Sequence, residues 1–283
     1  MHCNGTAEAF TSIHHKFSQL SEAQTQRCIY KVHNHLRNVK DKAYEPEIIA
    51  IGPYHRGKHN LKMMEEHKLR YLELLLHRKK ENVEIYISAI GKLEKQARNC
   101  YAEPISLNTA KFIEMLSLYP GAVDENRTNR SSHQVTHLLD LIHNNWWSSF
   151  DDVYVDVDIF RVETESRFIH SATELTDANV KFQKSKSHSL FDVDFKKGIM
   201  LMSTLTIEDR TECFFRNLIV YEQYFKNNRP NFVTDYVRLL DNLINSSRDV
   251  EILSQCGIID NWLGDNQVVA DIFNQLTDFD SWS

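Results

Sequence analysis

The sequence predicts an α+β protein that is predominantly α-helical, with a bundle-like helical core and a small antiparallel hairpin or sheet in its C-terminal half. Three observations predict it. Glycine (8) and proline (5) are scarce in 283 residues, too few for the many tight turns of an all-β sandwich. Apolar residues recur at three- and four-residue spacing through most of the chain. That spacing gives way to strand-like runs only after residue 150, one of them carrying a lysine-glycine turn.

Residues 1–26 are polar and carry no continuous apolar stretch, so they read as a mobile leader rather than a signal peptide. Residues 28–60 form an irregular opening punctuated by Pro46, Gly52, Pro53 and Gly57, with Ile48, Ile49 and Ile51 as an extended segment. A strong helix follows, marked by Leu61, Met64, Leu72, Leu75 and Leu76 with Asn60 as its N-cap. A second carries Val83, Ile87, Ile90 and Ala97 behind an Asn82 cap. Pro104 separates it from a third, which begins near Ser106, carries Ile113, Leu116 and Tyr119, and is stopped by Pro120-Gly121. Residues 120–133 are a polar break. Helix returns over 134–147, with Leu138, Leu141 and Ile142 apolar. Val153, Val155, Val157 and Ile159 then alternate with polar neighbours, as a strand with one wet face does.

A short helix is expected in "RFIHSATELTDA", and strands in "VKFQKS" and "LFDVDFKKGIMLM", the latter turning at Lys196, Lys197 and Gly198. Three helices and a final short one close the sequence. They are marked in turn by Phe214, Phe215, Leu218, Ile219 and Phe225, by Val233, Tyr236, Val237 and Leu240, by Val250, Ile252 and Leu253 ahead of Gly257, and by Val268, Val269, Ile272 and Phe273. The organisation read from this is one domain over 27–277, in a helical part (about 27–119) and an α+β part (about 134–277), with 278–283 as a tail.

The formal charge of −6 and the absence of a basic stripe exclude the usual nucleic-acid binder; Arg78, Lys79 and Lys80 suit a helix C-terminus instead. The five cysteines, Cys3, Cys28, Cys100, Cys213 and Cys256, form no C-x-x-C pair and indicate neither a zinc site nor a disulfide framework. Cys213 and Cys256 read as small core residues. No apolar run is long enough to span a bilayer.

His55, His59 and His67, beside Glu65 and Glu66, are the weak metal candidates, since imidazole with carboxylate is zinc chemistry. They match no H-E-x-x-H spacing, and surface or structural histidines are the stronger reading, with His67 capping or packing within its helix. Asp151, Asp152, Asp156 and Asp158 would suit a divalent cation but read better as a solvated strand face. Glu212 stands four residues before Arg216, in a segment with Asn217 and Glu222, and reads as a polar network that orients its helix. Trp262 reads as core, and one of Trp146 and Trp147 as exposed. No P-loop, G-x-G-x-x-G, G-x-S-x-G or kinase signature is present. No catalytic residue and no cofactor is assigned.

Two blocks carry a resemblance. The first is "CIYKV…AYEPEIIAIGPYHRG…LKMMEEHKLRYLELLLHR", and the second runs from "SATELTDANVKF" through "TECFFRNLIVYEQ" to "SQCGIIDNWLGDNQVVADIFNQL". In order and spacing they resemble the plant-specific family called domain of unknown function 247, whose opening reads I-Y-x-V-P, Y-x-P, S-I-G-P-Y-H-H-G and M-E-x-H-K. The matching positions here are Tyr30, Tyr44, Pro46, Gly52, Pro53, Tyr54, His55, Gly57, Glu65, His67 and Lys68, with Arg216, Asn217, Glu222 and Trp262 in the second block. His33 and Arg56 depart from the pattern, the D-x-x-x-L-E-N-Q-x-P-F-x-V stretch between the helical halves is missing, and the apolar anchoring helix usual at the family's C-terminus is absent. The resemblance implies a helical α+β protein without established enzymatic activity, membrane association for the family, and here a truncated member, a fragment or an altered gene product that by itself reads as soluble and cytoplasmic. It implies recognition or signalling with an unknown protein partner and no nucleic acid, in reproductive control such as self-incompatibility or sex determination. The alternatives are a metal-assisted hydrolase using His55–His67 and a dominant-negative or degenerate copy.

Overall fold

In a computed structural model, the described residues are 4–23, 28–80, 82–118, 169–187, 189–224 and 231–277. The protein is predominantly helical, with its strands in the C-terminal half. It divides into two compact units, one of 1–33 with 45–137, the other of 34–44 with 138–283. The segment 34–44 therefore leaves the N-terminal half and is built into the second unit, where the sequence reading placed it with the first.

The first unit opens on helix α1 (Asn4–Ala23), where a polar leader was expected. Its Phe10, Ile13 and Phe17 recur at helical spacing on a strongly exposed surface. Residues Cys28–Tyr30 then run beside Cys100–Ala102. Cys28 and Ile29 donate to the Cys100 carbonyl and Ala102 donates back to Ile29, a single parallel bridge between Ile29 and Tyr101. Helices α3 (Lys62–Lys79), α4 (Val83–Asn99) and α5 (Thr109–Ser117) follow. Leu72 and Leu76 of α3 pack with Tyr86 and Ile90 of α4 as a buried cluster, against which Ile113, Leu116 and Leu118 lie. Asn82 caps α4, accepting from Glu84 N–H at 2.9 Å, and Asn108 caps α5 through Lys111 N–H at 2.9 Å. Asn60 is not the cap of α3. A single 3-10 turn, His59–Leu61, leads directly into that helix, whose N-cap Leu61 offers no side-chain acceptor.

The second unit begins with α2 (Asn34–Val39) and a 3-10 turn, Asp41–Tyr44. After α6 (Ala172–Asp177) come β1 (Lys181–Lys184), β2 (Asp194–Lys196), β3 (Ile199–Met202) and β4 (Leu205–Ile207). Strand β2 pairs antiparallel with β3, and β1 lies parallel on the other side of β3. The expected hairpin is present as a two-residue turn. Lys197 and Gly198 both take positive φ, 52° and 75°, which is the twist a tight hairpin needs. Strand β4 pairs in parallel with β5 (Ile259–Asn261). Helices α7 (Thr211–Tyr224), α8 (Phe232–Leu243), α9 (Ser247–Gln255) and α10 (Asn266–Leu276) complete the unit. Its core includes Phe215, Leu218, Val237, Leu240, Leu253 and Phe273. Cys213 and Cys256 are half-buried at its edge, not within it.

Helix ends in this unit are closed by charge as well as by polar caps. Glu222 of α7, itself buried, accepts from Val233 N–H at 3.0 Å and Thr234 N–H at 2.9 Å. It thus caps the first turn of α8 from another helix, where a carboxylate also meets the positive end of the helix dipole. Helix α9 ends as its glycine requires. Gly257 takes φ 72°, its N–H bonds Ser254 carbonyl, and Ile258 N–H bonds Leu253 carbonyl, the paired bonds of a Schellman end. The readings made for 120–133, 134–147, 153–159, Tyr119, Trp146, Trp147, the Asp151–Asp158 cluster, Phe225 and 278–283 lie outside the described residues.

Asp249 ties α9 to α6. One carboxylate oxygen accepts from Thr173 N–H at 2.8 Å and Thr173 Oγ1–H at 2.7 Å. The other accepts from Ser246 N–H at 2.9 Å and Ser246 Oγ–H at 2.8 Å. Burial alone would push this carboxyl up; the hydrogen bonds from Thr173 and Ser246 outweigh burial and hold it below its ordinary value. A depressed folded value means that the stabilisation is complete above the unfolded value, about 3.9 for aspartate, and is lost as pH falls through the folded one. The expected result is that Asp249→Asn lowers unfolding stability in urea by about 1–3 kcal/mol at neutral pH. That difference should begin to shrink below roughly pH 4, where the carboxyl of the unfolded chain becomes neutral, and close as pH falls through the lower value of the native carboxyl. A gap that stays constant into acid would contradict it.

Candidate functional site

The opening motif can be followed residue by residue to a cleft in the first unit. Helix α3 begins the construction. Lys68 is buried, and its ammonium donates to Ala50 carbonyl at 2.7 Å and to Glu65 Oε1 at 2.5 Å. A buried ammonium needs such partners, so the helix fixes the extended segment that enters the loop. Glu45 fixes the other flank. It binds Lys58 and lies 3.4 Å from His55 Nδ1. Between them Gly52 takes φ 91°, and a Cβ there would stand 2.9 Å from the Tyr101 hydroxyl oxygen. Both the backbone conformation and the close approach demand glycine.

The loop Pro53–Gly57 is one wall of the cleft and the segment Glu103–Leu107 the other, with Lys31, Lys111 and Glu114 completing a space of about 570 Å³. Tyr54 stacks edge-on against Tyr101, with centroids 5.5 Å apart, and Tyr101 in the same way against Phe112 at 6.1 Å. The Arg98 guanidinium lies 4.3 Å from the Phe112 ring centre, a cation–π contact. It donates to the carbonyls of Ile105 at 3.2 Å and Leu107 at 3.0 Å, while Glu94 accepts from its other nitrogens. Arg98 therefore clamps the second wall. Arg56 ties the first wall to α5, donating to Lys111 carbonyl at 3.0 Å and to Glu114 Oε1 at 2.9 Å. Lys31 lies 2.6 Å from Glu103 and 5.0 Å from the Tyr54 ring centre. Burial raises the Tyr54 phenol above its ordinary value, against a hydrogen bond from Glu103 N–H; it is a neutral group at physiological pH.

The second block of motif residues lies in the other unit. Arg216 is 0% exposed. Its Nε donates to Glu212 Oε1 at 2.8 Å and its Nη2 to Gln275 carbonyl at 3.1 Å. Lys40 bonds the second oxygen of Glu212. Asn217 donates to the Ala43 carbonyl at 3.0 Å and the Cys213 carbonyl at 2.7 Å. Tyr44 is buried here, its phenol raised by burial against the pull of Arg216. Of the polar residues read together from the sequence, Glu212 and Arg216 pair directly, Asn217 bonds backbone carbonyls beside them, and Glu222 is satisfied separately at the first turn of α8.

The structure thus brings Pro53, Tyr54 and Gly57 into the cleft and uses Gly52, Glu65 and Lys68 to support it, while Pro46 is half-buried beside them and Tyr30 is partly exposed. His59 and His67 face solvent and His55 turns to Glu45. Among the described residues no three His, Cys, Asp or Glu side chains are grouped to hold a metal ion. His67 is exposed where capping or packing was expected, and Trp262 is 70% exposed where core was expected. Trp262 follows β5 directly, and its indole N–H is satisfied by Asp260 at 2.9 Å at the surface. Sequence reasoning missed Arg98, Tyr101, Glu103, Lys111 and Glu114. Only the i, i+4 spacing of Glu94 and Arg98 signalled a fixed pair.

A helical unit whose signature loop shapes a cleft, continuous in sequence with an α+β unit ordered by buried ion pairs, is the class of protein these features define. The chain belongs to the family of domain of unknown function 247, described as plant protein of unknown function, whose profile matches residues 29–119 and 117–282. It is similar to UPF0481 protein At3g47200 of Arabidopsis thaliana, 24% identical over 344 residues, covering 88% of this chain and 72% of that protein. That alignment is longer than the 283 residues of this sequence, so the relative carries positions with no counterpart here. A second UPF0481 protein of Arabidopsis thaliana, At3g02645, is 27% identical over 115 residues, covering 40% of this chain and 22% of that protein. No solved structure matches. No helix among the described residues is long and apolar enough to cross a membrane.

The two loop glycines separate conformation from crowding. Gly57 takes φ 84° with open space around it, whereas Gly52 combines φ 91° with the Tyr101 contact. Gly57→Ala should lower the thermal midpoint by an amount equivalent to about 1–2 kcal/mol. Gly52→Ala should cost roughly 1–3 kcal/mol more, from crowding. Equal losses would show that the tyrosine contact does not constrain the loop.

Proposed function

We propose that this is a non-enzymatic recognition or signalling protein that works by binding a protein partner. The observation that carries the reading is a set of large apolar side chains left in water at helical spacing. Phe10, Ile13 and Phe17 of α1 are 66%, 49% and 61% exposed, and Tyr71 and Leu74, three apart on α3, are 58% and 68% exposed. Scattered exposed apolar residues are ordinary, but aromatic and aliphatic side chains repeated along one helix are what a partner-binding surface provides. The hydrolase alternative draws no support from His55, His59 and His67, which do not converge. Reproductive control, as in self-incompatibility or sex determination, rests on the family resemblance alone, as does membrane association.

The test is affinity purification of the tagged protein from plant reproductive tissue, with mass spectrometry of what co-purifies, beside the Phe10→Ser, Phe17→Ser double variant. A reproducible partner that is lost from the variant, with an unchanged thermal midpoint, is the expected result. A partner retained in full by the variant would remove α1 from the interface. Absence of any specific partner from well-folded protein would overturn the recognition reading.

A further inference from the structure

We infer that the cleft between Pro53–Gly57 and Glu103–Leu107 takes a peptide segment bearing a carboxylate next to an apolar side chain, and that Lys111 reads the negative charge. The inference rests on the recognition reading and names the chemistry recognised.

Charge accounting within the cleft points to an anion. Of its lining residues, Glu103 is already held by Lys31 at 2.6 Å, and Glu114 by Arg56 at 2.9 Å. Lys111 gives its backbone carbonyl to Arg56, and its ammonium has no ion-pair partner among the described residues. A cationic ligand would have to take a glutamate from Lys31 or Arg56, whereas a carboxylate gains Lys111 without breaking an existing pair. Apart from Ser106 and Gly57, the remaining lining is apolar or ring-like, from Pro53, Pro104, Ile105, Leu107 and Tyr54. The space, about 570 Å³, falls within the roughly 300–1,000 Å³ of small-ligand sites and suits a few peptide residues. Both walls are already fixed, one by Arg98 through two carbonyls and the other by Arg56, so little ordering remains to be done on binding.

The carboxylate has two sources, the C-terminus of a polypeptide or an Asp or Glu side group. The probes are fluorescein-labelled hexapeptide pools made as free acids and as C-terminal amides, each in acidic, neutral and basic composition. Binding to the full-length protein is read by anisotropy. The variants are Lys111→Glu, and Lys62→Glu as the same charge change on α3 outside the cleft; both lysines are exposed, so neither change disturbs packing. Acidic or free-acid pools are expected to bind, with affinity falling about tenfold or more in Lys111→Glu and staying near native in Lys62→Glu. Binding confined to free acids assigns the C-terminus; binding of acidic amides assigns the side group. Equal binding of basic pools, equal loss in both variants, or no binding by any pool would overturn the inference. If it is overturned while a partner still co-purifies through α1, the recognition reading survives. If peptides bind in the cleft but no partner co-purifies, it is that broader reading that fails.

Discussion

A charge taken out of water must be met by opposite charge and hydrogen bonds, and Arg216 is where this constraint governs the structure. Its guanidinium is fully buried, a state that costs several kcal/mol unless its partners are in place. Two acceptors meet it, and a second cation from a third stretch of sequence shares one of them. Glu212 is one turn earlier on the same helix, the Gln275 carbonyl lies in the last turn of α10, and Lys40 shares Glu212 from the segment 34–44. Asn217 adds a bond to Ala43. The short segment has little apolar surface of its own beyond Leu36, Ala43 and Tyr44, so this polar hub is what assigns it to the second unit.

The same logic recurs wherever distant elements must be joined. Glu222 caps α8, Asp249 joins α9 to Thr173, and Lys68 holds the Ala50 carbonyl. Each is a buried polar side chain with at least one partner on another element, so each fixes geometry that apolar packing leaves adjustable. In the first unit the consequence is a cleft. Lys68 and Glu45 set the loop, Gly52 lets it pass Tyr101, and Arg98 and Arg56 secure the walls. The most recognisable part of the sequence is thus a set of supports, with Tyr54 and its prolines presented by them.

Much of the fold was legible from periodicity and punctuation. Asn82, Gly257 and the Lys197-Gly198 turn act as their chemistry requires, and Glu212–Arg216 was readable from one helical turn of spacing. Three features were not legible, for physical reasons. Helix α1 was hidden by its polar composition, which masked the spacing of Phe10, Ile13 and Phe17. The assignment of 34–44 depends on bonds to residues more than 170 positions away, which no local pattern encodes. The cleft draws Lys31, Arg56, Glu103 and Lys111 from separate segments, and each alone resembles an ordinary surface charge. Trp262 shows the opposite error: an aromatic default toward the core failed because Asp260 satisfies its indole N–H at the surface.

The central claim, that the buried Arg216–Glu212 pair holds the segment Asn34–Tyr44 in the second unit, is tested most directly by hydrogen exchange on Glu212→Gln. Neutralising that carboxylate leaves Arg216 without its counter-charge and Lys40 without its anchor. Amides of 34–44 are expected to lose protection by about tenfold or more, equivalent to roughly 1.4 kcal/mol or above, while α9, closed by its own Schellman bonds and Asp249, keeps its protection. A folded variant in which 34–44 exchanges as slowly as in the native protein would contradict the claim.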